Sequence, residues 1–254
     1  MPRDPFSSYI DLAAWRRTLR RWRRFAETAK AQDADVLLNA ARQAAKLQPF
    51  LDRVADIAEE KAGRSPATSI DPDQLPQNTE WTWQPGPWKG RVHPPGIAGF
   101  DSGTPFGESV VAFHDCPLKE VTLRQKARDG KWAVTLDWTG FTGSYISTVI
   151  KLPQDAAKAL CPKSVISLRG IFQSELGGEC FVRLNIRNGP NVAQISMQQG
   201  FSDEFQLASF DLAYTRFNQE RISGAWIDVI YEALPANLIT LSDMTVIRNK
   251  RAEL

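Results

Sequence analysis

Histidine and cysteine are scarce in this chain, with two and three copies in 254 residues. The cysteines, Cys116, Cys161 and Cys180, are isolated, odd in number and without Cys-x-x-Cys spacing, which argues against a disulfide framework or a zinc site. They read as reduced residues carried on strands. No stretch approaches the ~20 consecutive apolar residues of a membrane-spanning helix, so no membrane span is expected. Nor is there a strong excess of charge: 31 Lys and Arg stand against 29 Asp and Glu, a net charge of +2. That balance argues against a general nucleic-acid binder. The first residues, Met1-Pro-Arg-Asp-Pro-Phe, put charges and prolines where a secretory leader carries its apolar core. The expectation is synthesis in the cytoplasm without a signal peptide.

Catalytic signatures are also missing. The sequence contains no Gly-x-Ser-x-Gly elbow, phosphate-binding glycine loop, His-x-x-x-His pair or dinucleotide fingerprint. His114-Asp115-Cys116 contains triad residue types, but neighbours on a strand point to alternate faces and cannot assemble a triad. Asp137, Glu179, Asp211, Asp228 and Glu232 are carboxylates on predicted strands, which the sequence cannot pair at the roughly 5 to 10 Å that glycoside hydrolysis needs. We therefore expect no catalytic residues, no cofactor and no metal, with a carbohydrate-active enzyme or a cytoplasmic interaction protein as the alternatives.

What the chain does have is tryptophan, eight in all, distributed over three unequal parts. Residues 1–63 read as an N-terminal helical hairpin: from 8 to 62 there is no glycine and one proline, Pro49. Ser8 to Asp11 resembles a capping box. Leu12, Trp15, Leu19, Trp22 and Ala26 then recur at spacings of 3 and 4, a coiled-coil-like seam. A second stripe runs from Leu37 to Ala58; Pro49 should kink or restart that helix, and Gly63 with Ser65-Pro66 should end it. The turn is expected near Ala31 to Asp33. Arg16, Arg17, Arg20, Arg21, Arg23 and Arg24 make the first helix strongly basic. Such a helix suits an acidic protein partner, a membrane surface, nucleic acid or simple solvation, with nucleic acid ranked low because no reading motif accompanies the charge.

Residues 64–107 form a Pro/Gly-rich arm that cannot continue a helix or sit centrally in a sheet. Trp81, Trp83 and Trp88 carry too much apolar area for a free linker, so they should pack on the following domain or else form an intersubunit contact or a stacking platform for sugars. Residues 108–254 switch to two-residue alternation between turn signals, giving about ten strands without crossover helices. The expected fold is mainly β, an antiparallel β-sandwich most simply of jelly-roll type. In Phe181 to Arg187, Val182, Leu184 and Ile186 should face the core, leaving Phe181, Arg183, Asn185 and Arg187 outward.

A sugar-binding face needs an aromatic platform and planar polar groups. Asp137, Trp138, Tyr145, Arg183, Asn185, Arg187 and Asn188 supply those types, and strands joined by the turn 139–144 can put Trp138 and Tyr145 on one face; the competing and favoured reading is that Trp138 is core and the arginines and asparagines are an ordinary solvated sheet face.

The run Gly224-Ala-Trp226-Ile-Asp228-Val-Ile-Tyr-Glu232, with Ile239 to Arg248 and its Ser-Asp pair, resembles the closing strands of galactose-binding-like and carbohydrate-binding jelly rolls. Together with Asn185-Ile-Arg-Asn188-Gly-Pro190-Asn191 and the helical start, the whole chain resembles an uncharacterised family of alphaproteobacteria (Rhodobacter relatives) that includes a head-spike component of the gene transfer agent, a phage-like particle. The resemblance implies a structural protein on a virion-like particle surface. Its partners would be capsid or other particle proteins through the N-terminal helices, capsular polysaccharide, and further copies in a homo-oligomer.

Overall fold

Two-residue alternation from Val121 to Lys250 builds most of the protein. The computed structural model describes residues 12–61, 75–128, 130–232 and 236–251. In chain order the strands are β1 Thr79–Trp83, β2 Gly96–Ala98, β3 Thr104–Phe106, β4 Val110–His114, β5 Val121–Arg128, β6 Lys131–Thr139 and β7 Tyr145–Lys151; then come β8 Ser164–Ser174, β9 Glu179–Asn188, β10 Asn191–Gly200, β11 Phe205–Asp211, β12 Ile222–Glu232 and β13 Ala236–Lys250. They form two antiparallel sheets. One runs β11-β8-β13-β6-β5-β2, with β1 added on β13; the other runs β10-β9-β12-β7-β4-β3.

The two sheets share one core. Leu123, Val134 and Leu136 of the first meet Val182, Leu184, Ile227 and Val229 of the second, all fully buried. The expected antiparallel sandwich is the observed fold. On β9 the alternation holds, with Val182, Leu184 and Ile186 in the core and Phe181 and Arg187 exposed.

The proline-rich arm departs from expectation. It contributes β1, β2 and β3 to both sheets and a helical turn, α3 (Gly86–Lys89), with Pro87 and Trp88 buried. The strands fall between the prolines or at a sheet edge, where a missing N–H costs no ladder bond. Trp88 is 1% exposed and its indole N–H donates to the Leu241 carbonyl at 2.8 Å. Trp88 is thus a core residue of its own chain and is withdrawn as a partner contact. Trp81 and Trp83 stack at 6.3 Å and are half-buried against the core. Gln125 clamps the arm from β5, donating to the carbonyls of Pro87 and Gly90 at 2.6 and 2.7 Å and accepting from Val92 N at 2.9 Å.

β13 serves three neighbours, with β8 along one edge and β6 then β1 along the other. Ala236 to Ser242 pair with β6, the register shifts between Ser242 and Thr245, and Val246 to Asn249 pair with β1. Asp243 takes φ 51° in this irregularity and accepts from Gln84 Nε2 at 2.9 Å, tying the end of β1 to the bulge.

The chain divides into two compact units, residues 1–51 and 52–254. The N-terminal region has helix α1 (Leu12–Glu27), a 3-10 turn (Ala29–Ala31) and helix α2 (Ala34–Lys61). The turn falls where expected; Ser8 to Asp11, Gly63 and Ser65-Pro66 lie outside the described residues. α2 continues through Pro49 rather than restarting, because losing one N–H removes a single bond from a 28-residue helix. All six α1 arginines are exposed. Trp22 packs edge-on against Phe25 at 6.4 Å. No described helix is long and apolar enough to cross a membrane.

Candidate functional site: a groove across the second sheet

The outer face of the second sheet is set by strand parity. Ile146, Thr148 and Ile150 of β7 and Ile227 and Val229 of β12 are in the core, so their neighbours Tyr145, Ser147, Val149 and Lys151, and Trp226, Asp228 and Ile230, point the other way. Register places them in rows: Trp226 lies between Lys151 of β7 and Asn185 of β9, and Asp228 between Val149 and Arg183. Phe113 of β4 lies opposite Ser147, and Gln194 of β10 opposite Asn185. Two adjoining depressions of about 460 and 470 Å³ run over this surface and share Phe113, Val149 and Trp226.

A hydrogen-bonded set forms the polar floor. Arg183 donates from Nε and Nη2 to Asp228 Oδ2 at 3.1 and 2.7 Å, and Asn185 Nδ2 donates to the same oxygen at 3.1 Å. Gln194 Nε2 donates to Asn185 Oδ1 at 2.9 Å. Asp228 is 4% exposed, and its other oxygen, Oδ1, is buried without a hydrogen-bond partner among the described residues. A buried carboxylate oxygen left unpaired costs about 1 to 3 kcal/mol or more.

Aromatic side chains flank the polar floor. Tyr145, 38% exposed, lines one depression, and Trp226 lines both, with the Arg187 guanidinium 5.5 Å above its ring. The loop before Tyr145 is held by Asp115, which accepts from Ser144 N at 2.7 Å, Ser144 Oγ at 2.6 Å and Tyr145 N at 3.1 Å. Desolvation pushes the Asp115 carboxyl up, but the Ser144 hydroxyl and the two backbone N–H groups outweigh it and hold it below the usual carboxylate range. Gly143 permits this approach: a Cβ there would collide with Asp115 Oδ1 and come within 2.8 Å of Cys116 N.

The sequence-predicted residues divide between the two sheets. Tyr145, Arg183, Asn185 and Arg187 line the groove. Asn188 sits at the end of β9, where its side chain donates to Asn218 O at 2.6 Å and accepts from Asn218 N at 3.2 Å, fixing a loop. Trp138 is corrected: it lies on β6 in the first sheet, 2% exposed and packed on Phe141. The turn 139–144 carries the chain from one sheet to the other, so Trp138 and Tyr145 share no face. Asp137 is exposed on the outer face of that first sheet and falls with it.

Sequence reasoning missed Trp226, Asp228, Phe113 and Gln194 as members of this site. The Trp226-Ile-Asp228-Val-Ile230 alternation was the available signal. His114 and Asp115 have other tasks: the His114 ring is buried between Phe100 O, at 2.8 Å from Nε2, and Cys116 N, which donates to Nδ1 at 3.2 Å. Among the described residues no cluster of three or more His, Cys, Asp or Glu is arranged to hold a metal ion.

By fold and site the protein is an antiparallel β-sandwich with an aromatic and polar groove on one sheet face. The chain belongs to a family of unknown function (DUF6478), whose model matches residues 2–254. No curated protein matches it. Among solved structures it is similar to the family 11 carbohydrate-binding module of cellulosomal cellulase Lic26A-Cel5E of Clostridium thermocellum, at 12% identity and TM-score 0.41, covering 60% of this chain and 94% of that one. It is also similar to TmCBM61 in complex with β-1,4-galactotriose, at 16% identity and TM-score 0.34, covering 63% and 98%. A third likeness is to the enzymatically active domain of bacteriophage CBA120 tailspike protein 4, at 8% identity and TM-score 0.39, covering 61% of this chain and 21% of that one. At such scores these likenesses assign no ligand.

Proposed function

We propose that this protein is a non-catalytic glycan-binding protein that holds polysaccharide chains in the groove of its second sheet. The observation that carries the reading is the pairing of Trp226 and Tyr145 with the Arg183, Asp228, Asn185 and Gln194 network on one face. Aromatic rings take the apolar faces of sugar rings, and a pre-bonded planar polar set takes hydroxyls without reorganising.

On a finer scale, the protein belongs to the surface of a phage-like particle and serves attachment to capsular polysaccharide as part of a homo-oligomeric spike. Six exposed arginines on α1 support an anchoring role toward an acidic particle protein. The test compares binding of the purified protein to capsulated and capsule-free cells, beside its Trp226→Ala variant. Preferential binding to capsulated cells that falls at least tenfold in the variant is expected. Equal binding to both cell types overturns the reading, and trimming of the capsule by the wild-type protein replaces it with an enzyme.

A further inference from the structure

The two ends of the groove differ in charge. At the Tyr145 end, the carboxylate of Asp228 neutralises Arg183. At the other end, Lys151 of β7 and Arg187 of β9 line the depression with Trp226, Gly224, Gln154 and Phe113, and none of the described lining residues there is acidic. Both cations are exposed, and neither has a carboxylate partner among the described residues. They stand on the two strands that flank β12, Lys151 opposite Trp226 and Arg187 opposite Gly224.

Gly224 leaves the floor between them open. A Cβ at this position would meet nothing within 4 Å, and its strand parity is that of Trp226, so the missing side chain is missing from the groove face. Two long cationic side chains thus border a vacant seat beside an indole. The Arg187 guanidinium, over the Trp226 ring, sits where the anion and the sugar face meet. Arginine and lysine together give a carboxylate a forked donor and a point charge.

We infer that the Lys151, Arg187 and Gly224 end of the groove is a subsite for a carboxylate-bearing sugar, so that the glycan held is a polyuronate-type acidic polymer rather than a neutral one. This rests on the groove reading and adds its substrate class. Placing the seat beside Trp226 puts the pyranose face on the indole while the ring carboxylate reaches the two cations, leaving the neighbouring residue's hydroxyls over Asp228 and Asn185.

The test is affinity electrophoresis and calorimetry at 150 mM salt with polygalacturonate, alginate and hyaluronate, each beside its carboxyl-reduced counterpart, with dextran sulfate as a control polyanion. Wild-type protein should bind at least one polyuronate tenfold or more tighter than the reduced polymer and tighter than dextran sulfate. Lys151→Met with Arg187→Met should shrink that preference to about twofold, and Gly224→Leu, which fills the seat, should weaken binding of the acidic and the reduced polymer alike. Unchanged unfolding midpoints verify that these surface variants fold. Equal affinity for acidic and reduced polymers, a preference that survives the double substitution, or dextran sulfate binding as tightly as the polyuronate overturns the inference and leaves the groove reading standing. Trp226→Ala binding every polymer like wild type, or wild type binding none, overturns the groove reading and the inference with it.

Discussion

Arg183 and Asp228 face each other across β9 and β12 in a two-pronged pairing, Nε and Nη2 both on Oδ2, with the carboxylate side chain 6% exposed and the guanidinium side chain 35%. The asymmetry decides what each deletion does. Removing one partner of a fully buried pair costs about 3 to 5 kcal/mol, because the other charge is stranded. Here Arg183 can turn to water, so Asp228→Ala should cost about 1 to 2 kcal/mol after allowance for that exposure. Arg183→Ala strands the buried carboxylate and should cost more, about 2 to 4 kcal/mol. Urea unfolding at pH 7 measures both, and a larger loss for Asp228→Ala contradicts this assignment.

Trp88 makes the arm part of the sandwich. Trp88→Phe forfeits the bond to the Leu241 carbonyl and should cost about 1 kcal/mol. Trp88→Ala adds a cavity and should cost about 3 to 5 kcal/mol, a fall in Tm of roughly 10 °C for a protein of this size. Trp81→Ala, at a half-buried position, should cost less than Trp88→Ala. If all three variants melt together with wild type, the arm is not structural.

The ten main strands were legible because half-buried strands enforce a period of two, and each expected strand overlaps an observed one. The short strands β1, β2 and β3 were not, since Pro85, Pro87, Pro94 and Pro95 dominate the local signal while the pairing that orders the arm comes from β13, β5 and β4, distant in sequence. The same limit explains the site. Arg183, Asn185 and Arg187 share one strand and were visible together through parity. Trp226 joins them only because β12 pairs β9, and register between strands 40 residues apart is not written in either one. Trp138 failed for a related reason: a turn that crosses between sheets reads like one that closes a hairpin.

Acid should loosen the Tyr145 loop. Burial pushes the Asp115 carboxyl up, and the Ser144 hydroxyl with the Ser144 and Tyr145 backbone N–H groups together outweigh it and hold the carboxyl below its usual value. A depressed folded-state value means that the stabilisation is present above the unfolded value of about 3.9 and is lost as pH falls through the folded one. Glycan affinity should therefore hold from pH 7 to about 5 and fall below about 4, in parallel with increased proteolysis at residues 139–145. Asp115→Ala should lower affinity a few-fold at pH 7 and remove this acid limb. An unaltered limb in the variant assigns the titration elsewhere.

Alkali should act through the core. Burial pushes the Cys180 thiol up to about 12, with Glu179 adding to it, and burial pushes the neighbouring Tyr231 hydroxyl well above its ordinary value. In the unfolded chain these groups ionise near 8.5 and 10, while in the folded protein they stay neutral. Raised folded-state values give stability that is complete below the unfolded values and is lost as pH rises toward the folded ones. Unfolding free energy should thus decline from about pH 8.5 upward. Cys180→Ala should lower stability at pH 7 through the lost packing and flatten the first part of that decline. A thiol reagent at pH 8 should label Cys161, which is half-buried, faster than the fully buried Cys180. Rapid labelling of Cys180 in the native protein, or an alkaline slope unchanged by Cys180→Ala, would falsify this account of the core.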